Sequence, residues 1–265
     1  MLLALDTSTS FASVALVHDG RTLVELDWEV GRNHSVELLA RLDWLLAQRG
    51  ITPAQLDGIA VATGPGSFNG VRVAVAAAKS LAFALGVPLS GHPTLDVIAW
   101  GISQLRGSIC ALLEAGRGQV YAATYAGPAL AAAGWAPTGE YAILTPAELA
   151  SSLASTICEP VVFCGEWRPE TRAALAEALG ETARFSPVGG GRRASWLADL
   201  ALARLARGER DAPEALEPLY LRRPHITNSA KAAPRLAERD GAREDAAQAA
   251  PEAPGGEGAS RAIPS

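Results

Sequence analysis

The chain has 265 residues, 49% of them apolar, and a formal net charge of −5; it is long enough to bury a sizeable core as one large domain or two small ones. The acidic balance argues against this chain alone as a major nucleic-acid binder, because neutralising phosphates needs clustered Lys and Arg, and the pairs Arg192-Arg193 and Arg222-Arg223 read as solvated surface. Cys110, Cys158 and Cys164 lack Cys-x-x-Cys spacing and supply neither a disulfide framework nor a zinc site, so the expected compartment is the reducing cytoplasm.

Leu2–Leu5 is a short continuous apolar run, as a buried central strand would be. Ala12–His18 reads as a second strand, and Asp19-Gly20 is a hairpin turn signal. Thr22, Val24, Leu26, Trp28 and Val30 then alternate with a polar set broken only at Leu23, which predicts a half-buried antiparallel third strand. A helix is expected from about His34 to Gln48, with Val36, Leu38, Leu39, Leu42, Leu45 and Leu46 as its apolar stripe and Gly50 as its C-terminal cap. Strand Gly58–Ala62, a glycine loop, helix Asn69–Leu85 and strand Pro88–Gly91 complete the order β-β-β-α-β-α-β.

The theme then repeats weakly. Ser108–Leu113 and Gln119–Tyr125 read as paired strands, Pro146–Thr156 as a helix, Val161–Cys164 as a short strand and Glu170–Leu179 as another helix. Ser195–Arg207 has an amphipathic helical pattern, and Pro218–Arg222 reads as a last strand. The expected organisation is an α/β protein with lobes 1–103 and 104–228. From Ser229 onward there is no aromatic residue, and the large aliphatic residues are Leu236 and Ile263, so 229–265 is expected to be a disordered tail. No apolar run is expected to reach the roughly 18–20 residues that span a bilayer, and the N-terminus lacks the basic region of a signal peptide.

Gly64-Pro65-Gly66-Ser67-Phe68-Asn69-Gly70-Val71-Arg72 is the most informative stretch. Glycine tolerates φ > 0 and proline fixes φ, so the loop is tight, and it turns from a strand into a helix whose first N–H groups point outward. It lacks the Gly-Lys-Ser/Thr of a Walker A loop and the spacing of Gly-x-Gly-x-x-Gly. Nor is Gly66-Ser67-Phe68-Asn69-Gly70 a Gly-x-Ser-x-Gly nucleophile turn. Asp6-Thr7-Ser8-Thr9 ends the first strand; these residues either hold a metal–phosphate group or satisfy the backbone of their own turn. The helix after the glycine loop is broken only by Arg72, Lys79 and Ser80, so its second side is covered either by the preceding helix or by another chain. Gly189-Gly190-Gly191 reads as a connector.

Asp6-Thr7-Ser8-Thr9 ahead of a hairpin, in this element order, resembles the actin, sugar-kinase and chaperone-ATPase superfamily. Within it, Gly64–Arg72 with Ala78-Lys79-Ser80-Leu81-Ala82-Phe83-Ala84-Leu85-Gly86 is similar to the TsaB family, as are His34–Leu39 and Pro218–Arg222. The resemblance covers roughly residues 1–225. Asn69 stands where that family usually has Thr, and in Glu114–Tyr121 Glu and Gly replace the family's Asp and Arg. His92 is not followed by a second histidine four residues on, as in the related TsaD family, so no metal site is expected; the histidines are His18, His34, His92 and His225.

The resemblance implies an actin-like (ribonuclease H-like) two-lobed fold and a non-catalytic partner in threonylcarbamoyl transfer to N6 of the adenosine 3′ to the tRNA anticodon. It implies a TsaD-like catalytic subunit and a TsaE-like ATPase as partners, tRNA reached only through the complex, no membrane, and a homodimer when the chain is alone. Val36, Leu39, Arg72, Val75, Lys79 and Ala82 are the expected partner-binding residues. Asp6, Thr7, Ser8, Gly64, Gly66 and Ser67 form the candidate remnant of a nucleotide site, with no tightly bound cofactor and ATP or ADP entering in the assembled complex. The alternative is an ATP-dependent small-molecule kinase using Asp6, Thr7 and Gly64–Ser67 around Mg-ATP, with Glu114 as its second carboxylate.

Overall fold

A computed structural model describes residues 1–30, 34–128, 134–186 and 192–222. Leu2–Asp6 forms the fully buried strand β1, and Phe11–His18 (β2) and Arg21–Glu29 (β3) follow it as an antiparallel meander. Asp19 and Gly20 both take positive φ, the conformation that two-residue hairpins need. In β3, Val24, Leu26 and Trp28 turn to the core and Glu25 and Asp27 away from it, as the alternation predicts.

Helix α1 (His34–Gln48) leads to β4 (Gly58–Ala62), parallel to β1, and α2 (Phe68–Leu85) leads to β5 (Leu89–His92), parallel to β4. The first sheet therefore runs β3-β2-β1-β4-β5. After α3 (Thr94–Trp100) come β6 (Gly107–Gly116), β7 (Gln119–Gly127), β8 (Ala142–Leu144), α4 (Pro146–Thr156), β9 (Val161–Glu166), α5 (Pro169–Leu179) and β10 (Ala183–Phe185). The second sheet runs β8-β7-β6-β9-β10, with the same antiparallel and parallel pairings. The weak repeat in the sequence is thus a full duplication of topology.

Among the described residues, four apolar clusters hold the layers together. α1 and α2 pack on one face of the first sheet through Leu38, Leu42, Leu45, Val71, Ala74, Val75, Ala78 and Ala82. α6 (Ala194–Ala206) covers the other face through Ala194, Leu197, Ala198 and Ala201. Leu95, Ile98 and Ala99 of α3 pack on the second sheet, while Val97 joins α6 on the first. α4 and α5 close the outer face of the second sheet through Leu149, Leu153 and Leu175.

Three differences from expectation have local causes. β8 and β10 are three residues each, too short to carry a periodic signal. Pro218–Arg222 forms no strand: Pro218 has no donor, and Leu219 N–H donates singly to the Thr63 carbonyl (2.7 Å). α2, with 18 residues of mean hydropathy 1.3, is long and apolar enough by that measure to cross a membrane, contrary to the expected limit on apolar runs. Its buried side is part of the first core, and Arg72 and Lys79 are tied to the 214–220 segment. The expected tail 229–265 and the Gly189–Gly191 connector lie outside the described residues.

Candidate functional site

β1 delivers Asp6 to the C-terminal edge of the first sheet, where the chain turns. Ser8 donates to Asp6 Oδ1 through both its N–H (2.8 Å) and its hydroxyl (2.6 Å), closing a local turn. Thr7 Oγ1 donates to the Gly70 carbonyl (2.6 Å), and Ser67 N–H donates to the Ser8 carbonyl (2.6 Å). The glycines follow from this contact. A Cβ on Gly66 would stand 2.0 Å from the Ser8 carbonyl oxygen, and one on Gly70 2.0 Å from that of Thr7. Two backbones touch here, so only glycine fits.

The structure thus brings Asp6, Thr7, Ser8, Gly66 and Ser67 together. Gly64 (φ 99°) sits a step away, its carbonyl accepting from Thr94 N–H at the start of α3 (2.7 Å). Ser67 caps α2, its hydroxyl accepting from Gly70 N–H (3.3 Å).

Arg192 corrects the surface expectation for the Arg192-Arg193 pair. Its side chain is 2% exposed and is ion-paired to Asp6 and to Glu166 at the end of β9 (3.2 Å). It also donates to the hydroxyls of Ser8 (2.7 Å) and Thr9 and to the Phe11 carbonyl. Burial alone would pull the guanidinium down; the Asp6 and Glu166 carboxylates outweigh it and hold Arg192 above its ordinary value. Its partners are far away in the sequence, and an Arg-Arg pair ahead of a helix carries no signal of them. Arg193, by contrast, is more than half exposed beside Glu25.

Duplication makes Glu114, at the end of β6, the counterpart of Asp6 at the end of β1. Glu114 Oε1 accepts from Arg168 N–H (2.9 Å) and the Thr171 hydroxyl (2.7 Å), so it closes the N-terminus of α5. Both carboxylates that a kinase would use therefore hold internal partners. Between the two sheet edges lies a cleft of about 370 Å³, lined by Ser67, Glu114, Glu166 and Arg168 among others.

His92 is buried against the Ser90 hydroxyl (2.9 Å). Burial first, and the Arg204 charge second, depress its pKa to about 4, so the ring is neutral at pH 7. Four residues on, Asp96 accepts from the hydroxyls of Tyr125 and Tyr141 (2.7 Å each), and burial raises its pKa. Among the described residues, no group of three or more His, Cys, Asp or Glu side chains could hold a metal ion.

The partner-binding set divides. Leu39 is 59% exposed on α1, and the Val36 side chain lies outside the described residues. Val75 and Ala82 are 3% and 2% exposed, packed in the first core, so they are not available to another chain. Because α2 is apolar on nearly every side, its sequence cannot say which face meets the sheet. Arg72 is exposed, but its guanidinium stacks over Phe68 (3.8 Å) and donates to the Tyr220 hydroxyl (2.9 Å). Lys79 donates to the carbonyls of Leu216 (2.9 Å) and Glu214 (3.4 Å). The open apolar surface is instead Phe83 (81% exposed) and Trp44 (49%), with Leu39, Ala76 and Ala84.

A duplicated β-β-β-α-β-α-β unit whose strand-end loops meet across a cleft defines an actin-like, ribonuclease H-like α/β protein. Two Pseudomonas aeruginosa structures superpose over most of the described fold. YeaZ has a TM-score of 0.67 at 30% identity, covering 83% of this chain and 99% of that one. An uncharacterized protein with similarity to peptidase YEAZ has a TM-score of 0.70 at 31% identity, with the same coverage. The chain belongs to the TsaB (YeaZ) family. Residues 28–136 match the family described as TsaD, tRNA N6-adenosine threonylcarbamoyltransferase. The tRNA threonylcarbamoyladenosine biosynthesis protein TsaB of Bacillus subtilis (strain 168) is 36% identical over 124 residues, 47% of this chain. That match spans 54% of the Bacillus protein, about half its length. An uncharacterized protein of Mycobacterium tuberculosis is 31% identical over 231 residues, 84% of this chain and 92% of its own length.

Proposed function

We propose that this chain serves threonylcarbamoyladenosine formation on tRNA as a docking subunit without a catalytic centre of its own. It binds a TsaD-type transferase through the exposed face of α1 and α2, works with a TsaE-type ATPase, and meets tRNA only through the assembled complex. The observation that carries this reading is that Leu39, Trp44 and Phe83 each stand in solvent on two helices whose other sides are already packed. Large apolar groups left in solvent are available to another chain, and burying each contributes about 1.5–3 kcal/mol. The internal use of Asp6 and Glu114 supports the non-catalytic part of the reading. ATP or ADP enters with the complex, and the same helix face joins two copies when the chain is alone.

Native mass spectrometry of this chain, with and without a TsaD-type subunit, tests the proposal. A one-to-one complex that displaces a homodimer is the expected result. A chain that stays monomeric and unbound at micromolar concentration of both proteins would sink it.

A further inference from the structure

Five acceptors converge on the Arg192 guanidinium. Asp6, Ser8, Thr9 and Phe11 come from the first sheet and its turn, and Glu166 comes from the end of a strand in the second. The acceptors are themselves connected, since Thr9 Oγ1 donates to the Glu166 Oε1 that also receives Arg192 Nε (2.9 and 3.2 Å). Charge is not balanced: two carboxylates face one guanidinium. Asp6 Oδ1 receives Ser8 and Arg192, while Asp6 Oδ2 is fully buried without a hydrogen-bond partner among the described residues. An isolated buried carboxylate oxygen is costly, and it persists here because the cation beside it offsets the cost.

We infer that Asp6, Glu166 and the Ser8 and Thr9 hydroxyls form a cation socket whose resident cation is the chain's own Arg192, so that the ends of β1 and β9 are tied together without metal or nucleotide. Arg192 lies two residues ahead of Leu-rich α6, which is packed across the first sheet, so the socket ties that layer to the end of β9. The side chain is pre-placed by the helix that follows it and needs no ligand from solution. Emptied of Arg192, the same carboxylate and hydroxyl oxygens offer the donor set that a hard divalent cation or a small guanidinium ion requires. The inference rests on these contacts alone and stands or falls separately from docking by α1 and α2.

The test uses the full chain and the variant R192G, unfolded thermally with and without millimolar Mn²⁺ or methylguanidinium. Removing one partner of a buried ion pair should lower the midpoint by about 10 °C. Either ion should restore at least half of that loss in R192G, leave the wild type unmoved, and restore nothing in D6N/R192G. A midpoint within about 2 °C of wild type overturns the socket. So does a loss that neither ion recovers, or a recovery that persists in the double variant. If R192G does not accumulate as folded protein, E166Q carries the test, because it keeps Arg192 and removes one carboxylate. E166Q should melt a few degrees lower and show more exchange of the Thr9–Phe11 amides; unchanged melting and exchange would overturn the inference.

Discussion

The helix layer over the first sheet and the layer over the second have the same topology and opposite surfaces. α1 and α2 leave Leu39, Trp44 and Phe83 in solvent, whereas α4 and α5 present Ser151, Ser152, Ser155, Glu170, Arg172 and Glu177. Both layers bury their inner stripe equally well, through Leu38, Leu45 and Val75 on one side and Leu149, Leu153 and Leu175 on the other. Folding therefore does not require the apolar groups that α1 and α2 expose. Duplication supplied two equivalent platforms, and only that of α1 and α2 keeps large apolar groups in solvent among the described residues.

Breaking that asymmetry should have the largest effect. F83D on α2 should weaken association with a TsaD-type subunit about a thousandfold, or ~4 kcal/mol, as charge inserted into an apolar contact does. A174D on the exposed side of α5 should leave the affinity within about twofold. Equal losses, measured by titration calorimetry, would remove the distinction between the layers.

The edge loops give the next comparison. G66A forces a Cβ to 2.0 Å from a backbone oxygen, and nothing there can swing aside, so it should cost about 3 kcal/mol or more in urea unfolding. In the second half, Gly118 has positive φ (70°), unlike Gly66, but nothing lies near its Cβ position. G118A should cost only about 1 kcal/mol, the strain of a left-handed alanine.

The histidine-linked part of the acid sensitivity should sit in the first half, since residues 107–186 contain no histidine. His92 titrates at about 4 in the fold and near 6.5 when unfolded. Its folded pKa is depressed, so the unfolded chain takes up the proton first, and stability falls as pH drops from 6.5 toward 4. The contribution is about 2–3 kcal/mol across that window. H92Q should flatten this part of the pH profile relative to wild type in urea titrations. Smallest is E114Q, which weakens the closure of the α5 N-terminus by about 1 kcal/mol. It should leave binding to the partner subunit unchanged.

Much of the architecture was legible along the chain. The run Leu2–Leu5, the Asp19-Gly20 turn, the α1 stripe and the helix over Pro146–Thr156 are local signals, and each element formed within a residue or two of its expected bounds. The glycine loop was legible as a tight turn into a helix, and its residues identify the family. Which side of α2 would be buried was not legible, because a helix apolar all round has no preferred face until a sheet takes one; Val75 and Ala82 went inward and Phe83 outward.

The sequence by itself determined the elements, their order and the loop between β4 and α2, since hydrophobic period and turn chemistry act over a few residues. Only the tertiary structure decided what those residues do together. Contacts between residues far apart in the chain set Arg192 between Asp6 and Glu166, turned Gly66 and Gly70 into points of backbone contact, and left one of two equivalent helix layers with exposed apolar groups. Burial and charge pairing are properties of neighbours in space, and no local pattern records them.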